Sequence, residues 1–433
     1  MEKNNKKITT AWCFYDWANS VYSLVITTAI FPIYYVAVTT QPDGGDLVNF
    51  LGWNVSASVL YKYALTGAFL AIALCSPILT AIADYGGNKK AFMRFFCYLG
   101  SFACMGLYFF NLQTFSLSVL LFMIAAIGYS GSIVFYNAYL PEIATEDRFD
   151  KLSARGFSLG YIGSMILLIV SLVLVLMPDT FGITDKSIAP RISFLMTGLW
   201  WFGFAHYTFA YLPNNPYHKK AEGSYIFNGF KELSKVWDQL KELPALKRFL
   251  LAFFFYNMGV QTVMYVASLF GSKELHLPDD ALIIVLLIIQ AVAIAGAYGF
   301  AWLSARMGNI KALIIAVLIW VGISIAAYFI TTGNQYYMLA FVVGAVMGGI
   351  QALSRSTYSK LLPPTTDHAS FFSFYDICDK VGLALGSLAF GITEQWFGSM
   401  RNSVLVLSVF FVFGVIVLST IRIRKLEAQP HLA

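Results

Sequence analysis

Apolar residues in this chain run in long blocks, and polar residues gather in short segments between them. The blocks lie near 11–37, 58–83, 92–111, 114–138, 156–178, 191–212, 249–271, 281–304, 311–331, 337–360, 371–397 and 401–421. A hydrocarbon core of roughly 30 Å takes about 20 apolar helical residues to cross, so each block predicts one crossing, twelve in all. Strands of a membrane barrel would show short alternation instead, and the class predicted is an all-α membrane protein. The segment after the sixth block has a different pattern. Behind the breaker cluster LPNNPYHKK, the residues Phe230, Leu233, Trp237, Leu240 and Leu243 recur at spacings of three or four. That stripe predicts an amphipathic helix, lying along the inner membrane face against anionic headgroups or packed on the loops there.

Composition and charge sharpen this picture. With 58% hydrophobic and 12% charged residues over 433 positions, there is too little polar surface to cover a soluble globule. Alternate polar segments, beginning with Lys3, Lys6 and Lys7 and ending with Arg422, Arg424 and Lys425, hold 23 of the 29 basic residues. This bias predicts that both termini are cytoplasmic, in the plasma (inner) membrane if the source is bacterial. The net charge of +6 therefore reports topology and calls for no nucleic-acid partner. The first block is longer than a signal-peptide core and has no cleavage site behind it, so it is expected to remain as a helix. All five cysteines fall inside blocks, which predicts no disulfide, and no ligand-like spacing predicts a metal. A glycosylation-type triplet at Asn54 lies in the first outer loop and would matter only in a secretory-pathway host.

The chain also repeats itself. DYGGNKKAF (Asp84 to Phe92) follows the second block, and ARMGNIKAL (Ala305 to Leu313) follows the eighth, 221 residues later. Pro141 with Gly163-Ser164 and Pro363 with Gly386-Ser387 keep nearly the same offset, and FYD at Phe14 to Asp16 has a counterpart in FYN at Phe255 to Asn257. Six crossings returning in one orientation predict two parallel six-helix pseudo-repeats, the arrangement of major facilitator transporters. The expected units are 1–212 and 249–433, joined by a cytoplasmic linker, 213–248.

Several blocks resemble known signatures. TAIADYGGNKK resembles the major facilitator loop motif, with Asp84, Gly87, Lys89 and Lys90 in register and Thr80 in place of the opening glycine. A tight glycine turn with a carboxylate able to hold cations or helix N-termini of the other half would serve as an inner gate. Ala305 stands at the equivalent position in the second copy, so only the first half supplies this latch. YDWANSVYS, YNAYLPEIA, GGIQALSRSTYSKLLPP and SFFSFYDICDKVG are similar to the vacuole effluxer family, the autophagy-related amino-acid exporters and their bacterial relatives. The resemblance implies a secondary transporter of a small polar solute, with efflux of neutral amino acids as the fungal precedent; the charged residues within the blocks point to protons as a coupling ion.

The polar residues within the blocks suggest where such chemistry would sit. Asp16 lies about 8 Å into the first helix at 1.5 Å per residue, with Asn19 one turn later. Asp376 enters to similar depth in the eleventh block, and Arg355 reaches the same level from the tenth. Lys380 follows Asp376 by one turn, so the two can pair on one face, nearer the midplane where an unpaired charge costs roughly 2.5–3.5 kcal/mol. Asn257, Gln261 and Gln351 offer neutral groups for a zwitterion or for neighbouring helices. Structural ion pairing and capping is the competing reading of the charged residues. Walker, HExxH and GxSxG patterns are missing from places where they could work, which argues against an ATP-driven pump or an enzyme and predicts no cofactor. The remaining alternative is a channel or lipid scramblase. A monomer among membrane lipids is expected.

Overall fold

The computed structural model describes residues 2–41, 44–215, 217 and 225–421. Lys219, Lys220, Arg422, Arg424 and Lys425, which contribute to the charge bias, lie outside the described residues, as do parts of the breaker cluster.

The first block forms α1 (Lys6–Val21), a widened π-helical stretch (Tyr22–Ala29) and α2 (Ile30–Thr39). Pro32 has no N–H to give to the carbonyl four residues back, and the widened turn lies just ahead of it, where Thr28 Oγ1 donates to Ser23 O at 2.9 Å. A hairpin of β1 (Leu47–Phe50) and β2 (Trp53–Ser56) follows, paired Leu47 to Ser56 and Phe50 to Trp53. The chain continues as α3 (Ala57–Gly86), α4 (Lys89–Gly106), α5 (Phe115–Ala138), a short α6 (Leu140–Ile143), α7 (Phe149–Leu176) and α8 (Ile188–Tyr211). After α9 (Tyr225–Lys241) come α10 (Pro244–Leu275), α11 (Asp279–Met307), α12 (Asn309–Phe329), α13 (Gly333–Leu361), α14 (His368–Phe397) and α15 (Met400–Ser419).

Among the described residues, ten helical segments are long and apolar enough to cross a membrane by length and composition. α8 and α14 have 24 and 30 residues but are more polar. In α14, Asp376, Asp379 and Lys380 fall within five positions.

The two sets of helices pack alike. α1 packs on α7 and α8 as α10 packs on α14 and α15, and α4 packs on α5 and α8 as α12 packs on α13 and α15. The fold is thus two parallel repeats. They meet where α7 packs on α11 and α13, and where α14 packs on α3 and α5. Small residues set the closest approaches. A Cβ added at Gly348 would come 2.1 Å from the Ala293 carbonyl oxygen, so α11 and α13 touch backbone to backbone. Across the two repeats, Ala154, Ala297 and Ala352 form a fully buried seam of α7, α11 and α13.

The amphipathic helix is present, but its docked face coincides with the expected stripe only in part, at Leu240 and the half-buried Leu233 and Leu243. Phe230 and Trp237 are about half exposed, at 50% and 48%, whereas Gly229, Val236 and Leu240 are buried. α9 lies against the end of α3, where Asn228 Nδ2 donates to Tyr85 Oη at 2.8 Å. It also reaches α14, with Lys235 Nζ 3.5 Å from Asp367 Oδ2 and the Trp237 ring 5.6 Å from that of Phe374. Partial burial lifts the Glu232 carboxyl above the usual carboxylate range, against the pull of the Lys235 ammonium. The helix is therefore packed on the bundle and bridges both repeats. Val236→Asp would bury a carboxylate at a position with 0% exposure. Its desolvation should undock α9 and raise the rate of limited proteolysis in the 225–241 segment roughly tenfold or more, a change equivalent to about 1.4 kcal/mol. An unchanged cleavage rate would mean that the docking contributes little.

Candidate functional site

Between the repeats lies a cavity of about 870 Å³, lined from α1, α2, α3, α5, α7, α10, α11, α13, α14 and the π-helical stretch. Val36 and Ser272, both exposed, mark its wide end. A second cavity, of about 40 Å³, is apolar and lies within the second repeat between Val263, Phe270, Ile323 and Tyr336. It has no charged group to do chemistry with.

The floor of the large cavity is an ion pair that joins the repeats. Arg355 Nη1 and Nη2 of α13 each stand 3.2 Å from Asp16 Oδ2 of α1. Tyr136 Oη donates to the same oxygen at 2.7 Å, and Arg355 also donates to Ser153 Oγ, Ser153 O and Asn137 Oδ1. The guanidinium lies 4.2 Å from the Phe157 ring centroid and 4.7 Å from that of Trp12, within cation–π range. Gly156 makes room for this arrangement, since a Cβ there would meet Asp16 Oδ2 at 2.4 Å.

A second charged group stands apart on α14. Lys380 Nζ is 2.6 Å from Asp379 Oδ2 and 3.7 Å from Asp376 Oδ1. The predicted i,i+4 pair thus exists, but the shorter contact is to Asp379, which one-face reasoning passed over. A lysine side chain is long enough to reach back to its neighbour. The signal available in the sequence was cost, because a third charge at that depth is as expensive as the other two. Asn257 and Gln261 do not stand free for a zwitterion either. Their side-chain amides donate to Asp379 Oδ1 at 2.7 and 2.9 Å. Gln351 accepts from Tyr161 Oη, and Asn19, buried on the cavity wall, has an Nδ2 without a partner. The single charged layer expected at this depth is therefore two clusters, one spanning the repeats and one within α14.

The opposite end of the bundle is shut. Asp84 Oδ2 accepts from Ser370 N at 2.7 Å and Ser370 Oγ at 2.8 Å, with Ala369 N 3.4 Å from Oδ1, so a carboxylate of α3 caps the N-terminus of α14. Lys89 is 3.5 Å from Asp84 and also bonds Glu142, whose Oε1 lies 3.2 Å from His368 Nδ1. Gly87 closes α3 with a left-handed backbone, φ +66°. Lys90 takes no part in this network and donates to Leu212 O at 2.8 Å. Asp150 of α7 makes a second closure, accepting from Ser304 Oγ (2.9 Å), Asn309 Nδ2 (2.7 Å) and Lys360 Nζ (2.7 Å). Both latching aspartates belong to the first repeat and hold helix ends of the second. Glu142, His368 and Asp150 were not singled out in the sequence, because each sits at a helix end where a charge is unremarkable.

The arrangement provides a charged chamber open at one end and sealed at the other by polar contacts that can be broken. The description "Vacuole effluxer Atg22 like" matches residues 4–429. The uncharacterized MFS-type transporter YxiO of Bacillus subtilis (strain 168) is 35% identical over 97% of this chain and 96% of its own length. Autophagy-related protein 22-1 of Penicillium rubens is 25% identical over 87% of this chain and 77% of its own. Among solved structures, the human organic anion transporter MFSD10 superposes with a TM-score of 0.74 at 13% identity, covering 96% of this chain and 100% of that one. The major facilitator FucP in its outward conformation gives 0.70 at 13% identity, covering 95% and 97%. At such identities the structural likeness speaks for the fold, two parallel repeats of the major facilitator type.

Proposed function

Because the chain belongs to the vacuole effluxer Atg22-like family, a family of major facilitator transporters and not of enzymes, we propose that it moves a small polar solute, an amino acid or a similar metabolite, by alternating access. It is a multi-pass integral membrane protein of the secondary-transporter class. The moving parts in this reading are residues 1–212 and 249–433, with 213–248 as the cytoplasmic link, α8 and α14 completing twelve crossings, and both termini in the cytoplasm. Residues Asp84, Gly87 and Lys89 form the inner gate, and Lys90 steadies it from within the first repeat. Cargo and coupling ion meet the charged clusters of the cavity.

One observation carries the reading. The cavity is bounded on its floor by Asp16 and Arg355, which come from different repeats and are held to each other, to polar neighbours and to the rings of Trp12 and Phe157. A permanent pore would have no use for an ion pair across its path, whereas a rocking pair of repeats must make and break such contacts. We assign proton coupling to Asp376, a carboxylate beside a lysine that it shares with Asp379. The expected direction is efflux. The test is proteoliposome transport of labelled neutral amino acids. The parent should show saturable uptake, counter-flow, and accumulation driven by a pH gradient. Asp376→Asn should lose accumulation driven by the pH gradient. Flux that neither saturates nor responds to solute on the far side would favour the channel or scramblase, and gradient-driven accumulation by Asp376→Asn would leave Asp376 without a coupling role.

A further inference from the structure

The charges on the cavity wall do not balance, and the imbalance has an address. Three carboxylates, Asp16, Asp376 and Asp379, face two cations, Arg355 and Lys380. Asp16 and Arg355 neutralise one another on the floor. Arg355 is further saturated by Ser153 and Asn137, so its guanidinium has little left to offer an anionic ligand. The surplus negative charge therefore belongs to the α14 cluster, where one ammonium serves two carboxylates.

Within that cluster the two aspartates are not equivalent. Asp379 is fully engaged, with Lys380 on Oδ2 and the amides of Asn257 and Gln261 on Oδ1. Asp376 has only the longer contact to Lys380 through Oδ1, and its Oδ2, buried on the cavity wall, has no partner among the described residues. The residue is 5% exposed. A buried carboxylate oxygen without a donor is costly, and a donor or cation arriving from the cavity would remove that cost. Lys380 meanwhile lies 5.5 Å from the centroid of the Phe69 ring on α3, so the ammonium is held between an aromatic face of one repeat and the acids of the other.

We propose that Asp376, Asp379 and Lys380 form a subsite for one monovalent cationic group, either a small inorganic cation or the protonated amine of the cargo, bound at Asp376 Oδ2. Lys380 acts there as a tethered cation that half-fills the site and sets its affinity. The inference rests on the reading of this cavity as the transport path. It adds a charge preference to that reading: the site favours an amine-bearing solute or a coupling cation over an anion.

Binding can be read without knowing the cargo, from the melting temperature of the purified full chain at fixed pH and ionic strength. Sodium, potassium, methylammonium and lysine are compared as chlorides, with N-methylglucamine as the bulky reference. At least one of the small cations should raise the melting temperature of the parent by a few degrees in a saturable way. A shift from sodium or potassium identifies an inorganic occupant, and one from methylammonium or lysine identifies the amine of a cargo. Asp376→Asn leaves Asp379 and Lys380 in charge balance and should abolish the shift. Lys380→Met removes the tethered competitor, and its cation affinity should rise about tenfold or more, a gain that loss of a merely structural residue would not produce. If no cation shifts the parent, or if Asp376→Asn keeps the shift, the subsite is disproved. Saturable counter-flow without any cation shift would overturn this inference alone and leave the transport reading intact.

Discussion

Arg355→Met is expected to abolish transport and to destabilise the protein by about 3–5 kcal/mol, because it leaves Asp16 as a buried charge without its partner. Asp16 would keep the hydroxyl of Tyr136 but lose both guanidinium contacts. Ser153 and Asn137 would lose a donor at the same time. The double variant Asp16→Asn with Arg355→Met removes both charges, and most of the lost stability should return, since a buried pair replaced by neutral groups costs far less than a pair that is broken. Transport should not return with it if the pair is part of the moving floor. Thermal melting and proteoliposome flux on the three proteins separate the two roles. A double variant that transports normally would reduce the pair to a folding anchor.

The second large effect is expected at the sealed end. Asp84→Ala removes the cap on the N-terminus of α14 and a carboxylate 3.5 Å from Lys89, and with them at least two short hydrogen bonds that cross the repeats. Hydrogen bonds to a charged group contribute about 1.5–3 kcal/mol each. Even one such loss shifts the balance between the conformers about tenfold or more toward the opened end. Asp84→Asn, which keeps an acceptor but not the charge, should fall between parent and Asp84→Ala. Labelling of a cysteine placed at Ala369, which is buried and meets Asp84 only through its backbone N–H, should speed up in that order, and turnover should fall while solute affinity stays within a few fold. Equal labelling rates in all three would leave Asp84 with a topological role only.

Much of this was legible in the sequence, and the parts that were not have a common cause. The long apolar blocks and the parallel repeat are properties of sequence pattern, and the packed structure has them. Asp84 could be placed because it stands in a loop motif whose geometry is local, with Gly87 supplying the turn. What pattern does not convey is choice of partner. Helical periodicity put Lys380 beside Asp376, and the structure puts it nearer Asp379. Of the two uses open to Asn257 and Gln261, a ligand or a neighbouring helix, it could not choose, and the structure shows the second, in bonds to that same aspartate across the α10–α14 contact. Asp150 was invisible because its partners Ser304, Asn309 and Lys360 lie more than 150 residues further along the chain. The π-helical stretch also escaped, since a one-residue widening leaves the hydrophobic block unchanged.

Alternating access itself can be measured without identifying the cargo, by spin-label distances at the two ends of the cavity in lipid nanodiscs. One label pair replaces Lys151 of α7 and Lys311 of α12, exposed residues at the sealed end of opposite repeats. The other replaces Val36 and Ser272 at the wide end. The Asp84→Ala background supplies the bias toward opening. With alternating access, a longer Lys151–Lys311 population grows in step with a shorter Val36–Ser272 population. A sealed end that opens while the wide end stays as it is would describe a path open at both ends at once, and would contradict it.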